Sequence, residues 1–264
     1  MENVLILKVV ISFFAAGIWI GGATLLAERL GSKKGGLISN LPSTILIALI
    51  FVALVNDTHF AAEATYAVPM GMLIDTLFLF IFIILLNTGL IKTIILSILT
   101  WFVLAFTAQQ IHSSSLPLNI LFYLLVAIVT FFILEYKFDI PPKEKSRKKF
   151  TLSSILMRAG LAGSVVAGTT FISTFAGTYW VGLFSTFPAV MLSTMVILTL
   201  NQSPEFARAV GKIMILSSTN IIIYALGVNL TYPALGIAMG TIVSFLLSFL
   251  WILLIHPLIQ KLSR

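Results

Sequence analysis

Apolar runs of about 20 residues recur along this 264-residue chain, each closed by a short polar or proline-containing break. As an α-helix, a run of that length spans the ~30 Å hydrocarbon layer of a bilayer. A soluble domain buries one or two such runs, not an unbroken series of them. Only 9% of the residues are charged, against roughly 25% in a soluble domain, so too few remain to cover a water-facing surface. The residue-by-residue alternation of a membrane β-barrel is absent. The sequence therefore predicts an all-α polytopic membrane protein whose main partner is the lipid bilayer.

Nine spans are expected, at about 4–30, 37–55, 61–86, 91–110, 118–136, 152–175, 181–200, 204–228 and 233–255. The first is too long for a signal-peptide core and carries Lys8, so it is read as retained. The one true linker is KFDIPPKEKSRKK, where two prolines and a charge run forbid a span. An odd number of spans puts the two ends on opposite sides. Of the 16 Lys and Arg residues, every one but Lys8 then falls on a single side. That side is expected to be cytoplasmic, with the N-terminus outside and the C-terminus inside the cell membrane. The net charge of +7 thus reads as topology and attraction to anionic lipid, and no nucleic-acid partner is expected. A homodimer is among the expected assemblies.

A motif is written twice. GGLISNLPST, Gly35 to Thr44, is echoed by WVGLFSTFPAV, Trp180 to Val190. Each has Gly-Leu, a Ser three residues after the Gly (Ser39, Ser185), and a Pro three further on (Pro42, Pro188). Each then enters an apolar helix that ends in a polar break. Extended outward, Asn56 pairs with Asn201, Glu63 with Arg208 and Asp75 with Asn220, while Lys8 pairs with Arg158 near the start of each unit. Spans 1 to 4 thereby match spans 6 to 9, with span 5 extra. An offset of five spans turns the second copy over, as in the inverted repeats of many transporters. The domains expected are repeat 1 (1–112), linker span 5 with its basic loop (113–149) and repeat 2 (150–264).

The second copy resembles the small four-span GlpM-type membrane proteins. The residues that carry the resemblance are Arg158 early in the first helix, Gly182-Leu183 and Phe187-Pro188 opening the second, and Ala207-Arg208 opening the third. The match is weaker in the first copy, where Glu63 stands for the Arg and Leu41 for the Phe. The resemblance implies a duplicated four-span unit and no particular substrate. FSTF at Phe184 to Phe187 is also similar to the phenylalanine motif of duplicated fluoride channels. It opens the second helix of its unit where theirs lies in the third, so it is read as coincidence.

Asp75 is the outstanding candidate for chemistry. It lies roughly 20 Å into span 3 at ~1.5 Å per residue, near mid-bilayer and among apolar neighbours. A carboxylate there costs at least ~2.5 kcal/mol, so it must face protein or water and marks a substrate or proton pathway. Asn220 and Ser218, in the deep polar stretch SSTN, are expected to face the same cavity. Pro69 and Gly71, one turn before Asp75, read either as a gate or as a packing kink. Pro42 and Pro188 lie near polar helix starts whose free N–H groups suit an anionic group or ordinary capping. Glu63 is expected near the outer interface with Lys8 or His59 as partner. Arg208 and Lys212 line one face of span 8 as a topology anchor or an anion contact. The small residues of span 6, and Gly236 and Gly240 in span 9, read as close packing. Trp101, Trp180, Tyr136 and Tyr232 read as interfacial belts.

No Cys is present, which excludes disulfides and thiolate chemistry. The three His residues lack metal-ligand spacing, and no nucleotide-binding loop or catalytic triad is visible. No cofactor, metal or enzymatic activity is expected. The reading is a secondary transporter or exporter of a small solute, proton-coupled through Asp75. The alternatives are a passive ion channel and a membrane scaffold serving an envelope enzyme.

Overall fold

A computed structural model describes residues 2–29, 41–113, 115–141 and 151–262. Ser39 and Asn40, the glycines before them, and the basic run 143–149 lie outside these residues. Every regular element among them is helical. Seven helical stretches are long and apolar enough to cross a membrane. Leu, Ile and Phe side chains stand exposed along them, as on the helix face that carries Ile91, Ile95, Leu99, Val103 and Phe106. An apolar surface of that extent suits lipid and not water.

The helices are α1 (Glu2–Arg29), α2 (Ser43–Val55), α3 (Thr58–Ala64), α4 (Val68–Leu85), α5 (Leu90–Ile111) and α6 (Leu116–Phe132) in the first half. The second half has α7 (Leu152–Ile172), α8 (Thr178–Ser185), α9 (Ala189–Asn201) and α10 (Pro204–Ser217). The final helical stretch, Thr219–Leu262, is two helices joined at Gly236, whose φ of 71° only glycine adopts without strain. They are α11 (219–235) and α12 (237–262). They form a hairpin in which Thr231 bonds the Gly240 carbonyl at 3.1 Å and the Trp251 indole bonds Thr219 at 3.0 Å. Gly236 is thus a turn, not a packing position, and Pro233 falls before the turn instead of opening a span. Gly240 does pack, against Tyr232.

Three more expected spans are broken. Span 3 is α3 and α4 with a 3-10 turn, Thr65–Ala67, between them. Pro69 therefore sits in the first turn of a new helix, where its missing N–H leaves nothing unpaired, and does not kink a continuous one. Span 7 is α8 and α9, separated at Thr186 to Pro188. Span 8 is interrupted at Ser218, between α10 and α11.

The two motif copies follow one backbone course. Pro42 caps α2 at φ −75°, ψ 53°, and Pro188 caps α9 at φ −77°, ψ 44°. Each opens a helix of 13 residues without a side-chain cap. The helices end at Asn56 and Gln202, with φ −103°, ψ −98° and φ −118°, ψ −91°. Asp57 and Ser203 then cap the next helices by accepting from the Phe60 and Phe206 amides. The residue matching Asn56 in backbone position is therefore Gln202, and not Asn201 as the sequence alignment has it. Beyond this point the copies diverge, since α3 runs 7 residues and α10 runs 14.

α1 lies antiparallel against α7. A Cβ on Gly163 would stand 2.7 Å from the Phe13 carbonyl, and Gly17 and Gly21 approach Ala159 and Ile155. Gly163 does what span 6 promises, whereas Gly160 and Gly168 have open space around them. α4 is the hub of the first half. It packs against α5, α6, α8 and α10, and Pro69, Met72, Ile74, Asp75, Phe78 and Phe82 are among its buried residues.

Candidate functional site

Asp75 projects from α4 and is 1% exposed. The Trp101 indole of α5 donates to its Oδ1 at 2.8 Å. Trp101 reaches it because α5 lays a stripe of Thr93, Ser97, Trp101 and Ala105 against the interior. α6 does the same with Asn119, Tyr123, Ala127 and Thr130. The buried Tyr123 hydroxyl meets Ser218 Oγ at 3.4 Å, at the break between α10 and α11. Phe184 and Phe187 set their rings edge-on to Trp101, with centroids 5.7 and 4.8 Å away, and close the other side of the indole.

Beside this group lies a cavity of about 70 Å³. Asp75, Ser217, Ser218 and Asn220 form one wall, and the two proline breaks with the helix starts that follow them form the other. Both prolines thus serve one space, although they stand far apart in the chain, at positions 42 and 188. The volume admits a few water-sized groups. Among the described residues that line it, Asp75 is the one acid. The Ser43 and Ala189 amides donate to the Leu41 and Phe187 carbonyls, but no side chain caps the next N–H groups of α2 and α9, which give the opposite wall a positive character. Several hydroxyls of the wall are already donated to carbonyls of their own helices. Thr186 bonds the Leu183 carbonyl, and Ser218 bonds that of Ile215. Their oxygens still face the space as acceptors. The arrangement can hold a small polar or charged solute and can offer it a carboxyl group.

Asp75, Asn220, Ser218, Pro42 and Pro188 are therefore brought to one cavity. Gly71 lies behind it: a Cβ there would overlap Thr186 Oγ1, so only glycine lets α4 meet the second break. Gly182 serves α8 in the same way, since a Cβ there would overlap the Ala64 carbonyl at the end of α3. Pro69 is buried beside Gly71 and does not line the cavity.

Glu63 and Arg208 are not at the site. Glu63 is exposed, and its expected partner Lys8 instead donates to the Leu54 carbonyl at 2.6 Å. Arg208 is half-buried, its Nε without an acceptor among the described residues. Lys212, one turn along the same helix, is not an exposed anchor. It is 1% exposed, ion-paired with Glu135 at the end of the α6 stretch, and bonded to the Ile140 carbonyl. Trp101 and Tyr232 are fully buried and not interfacial, whereas Tyr136 is 79% exposed.

Sequence reading misses Trp101 and Tyr123 as site residues. The signal was present: each lies on the one stripe of its helix where small or polar residues recur every four positions. Arg158 is also missed. It is 6% exposed, and its guanidinium bonds Thr24 of α1 at 3.5 Å and Thr194 of α9. No group of three or more metal-ligating side chains occurs among the described residues.

Residues 9–114 match the family model "Protein of unknown function (DUF3147)". That stretch contains most of α1 and all of α2 to α5, with Asp75 and Trp101. No curated protein and no solved structure matches the chain.

Proposed function

We propose that the protein is a secondary transporter or exporter of a small solute, proton-coupled through Asp75, with its binding site in the cavity between the two proline breaks. The observation that carries this reading is the convergence of Asp75, Asn220 and two uncapped helix starts on one space. Discontinuous helices meeting near mid-membrane are a recurring way for transporters to bind a solute. An acid whose bond among the described residues is to a neutral indole can gain and lose a proton without breaking an ion pair there.

The same reading takes the chain as nine spans in two inverted four-span units of GlpM type, joined by α6. Counting the 56-residue stretch Pro204–Ile259 as two spans and adding the shorter α2 to the remaining six supports nine. The antiparallel approach of α1 and α7 supports the inversion. With Lys8 and Arg158 as mates, Phe13 and Gly163 are mates too, and these are the residues that touch where the helices cross. The basic side is cytoplasmic in this arrangement.

The test is uptake into proteoliposomes across a broad panel of small solutes, with and without a pH gradient, for wild type and Asp75→Asn. Gradient-driven uptake lost in Asp75→Asn is the expected result. Uptake indifferent to both the gradient and the substitution would identify a channel instead. No flux of any solute would leave only the scaffold reading.

A further inference from the structure

We infer that Arg158 and the helix starts behind Pro42 and Pro188 form a binding site for a small monovalent anion. This deepens the transport reading by naming a solute class, and its last step rests on that reading; the binding itself does not.

Arg158 is more than nine-tenths buried. Its two terminal nitrogens reach only the hydroxyls of Thr24 and Thr194, and its Nε, also buried, has no acceptor among the described residues. Among those residues no carboxylate pairs with it; the ion pair they contain is Lys212 with Glu135. A buried guanidinium normally carries its counter-charge with it, because an uncompensated charge in a dry interior is expensive. Here no described residue supplies the counter-charge, and space for one is present. Arg158 lines a cavity of about 20 Å³ together with Thr24, Ser43 and Val190. That volume holds one water-sized group, such as a halide or one end of a small oxyanion.

The walls agree in sign. Ser43 opens α2 and Val190 lies in the first turn of α9, and both residues also line the larger cavity beside Asp75. Each helix has 13 residues and a proline cap that supplies no side-chain acceptor. The Ser43 and Ala189 amides donate to the Leu41 and Phe187 carbonyls at 2.7 Å, so the next N–H groups of each first turn, on Thr44, Ile45, Val190 and Met191, and the positive dipole ends remain for a ligand. Guanidinium and two helix starts attract an anion and repel a cation. Leu41, Ser43 and Val190 line both, so the small cavity adjoins the space that Asp75 faces.

The test is thermal unfolding of detergent-purified protein at fixed pH and ionic strength, exchanging sodium gluconate for chloride, bromide, nitrate or formate. The wild type is expected to melt several degrees higher in at least one small anion, saturably, and Arg158→Gln to lose that response. A wild type that melts alike in all five salts overturns the site, as does a folded Arg158→Gln that keeps the response. If Arg158→Gln does not fold, Arg158→Lys decides. It keeps the charge and loses the fork, so half-saturation should rise at least about fivefold, and an unchanged value overturns the proposal. Uptake of the stabilising anion by proteoliposomes separates the two readings. Binding without flux of that anion or of any solute in the panel leaves the site standing and removes the transport reading. Flux of a different solute, with no anion response, does the reverse.

Discussion

Asp75 and Lys212 are each 1% exposed, yet the chain treats them in opposite ways. Lys212 has its counter-charge, Glu135, and a backbone carbonyl as well. None of these residues lines either of the two cavities described above, and the charge is compensated within the chain. Asp75 has an indole N–H and an open space. Its second oxygen is bonded by no described residue. A paired buried charge holds elements together, here α10 to the end of the α6 stretch. An acid with no ion-pair partner beside a void is, on the proposed function, an exchangeable group. Burial alone does not separate the two; the partner does.

The largest expected effect tests the paired side. Glu135→Gln leaves the Lys212 ammonium buried and unpaired, at a cost of about 2–3 kcal/mol, toward the low end for a broken buried pair because Glu135 is 16% exposed. The double variant Glu135→Gln with Lys212→Met should recover most of it. Chemical unfolding in detergent measures both, and a single variant as stable as wild type would break the comparison. Next comes Asp75→Asn. Its shape and indole bond are kept, so stability should change by less than about 1 kcal/mol. Gradient-driven uptake should fall at least about tenfold. A large stability loss with unchanged uptake would reverse the roles assigned to the two residues. Trp101→Phe removes one buried donor and should cost about 1–2 kcal/mol. It should also shift the pH midpoint of uptake, while Glu135→Gln leaves that midpoint in place. Glu63→Gln is the smallest, with no measurable change in stability or uptake expected. A clear loss of uptake would return Glu63 to the site.

The depth of Asp75 is legible from the sequence, because an acid well inside an apolar run has nowhere else to be. That Asn220 would share its cavity follows from pairing two copies of a motif; that both prolines line the same space does not. The partners are harder to see. Trp101 suggests an interface by residue type alone, and only its four-residue spacing from Ser97 and Ala105 hints at the interior. Pro69 and Pro188 mark breaks correctly, but a proline does not say whether a helix bends or ends. That depends on whether the preceding turn is held elsewhere, as Thr65 is by the Ala62 carbonyl at 2.6 Å. The pairing of Asn56 with Asn201 is off by one from the structural match with Gln202 for a similar reason, since side-chain identity and cap geometry need not coincide.

From the sequence alone came the helical membrane class, the doubled motif and the buried acid, because hydrophobic length and the cost of burying charge act on each segment by itself. The tertiary structure alone decided which charges are compensated. Whether Lys212 meets Glu135, Arg158 meets only hydroxyls, or Asp75 meets an indole and a void depends on helices far apart in the chain crossing at particular residues. No local rule of propensity or composition carries that information.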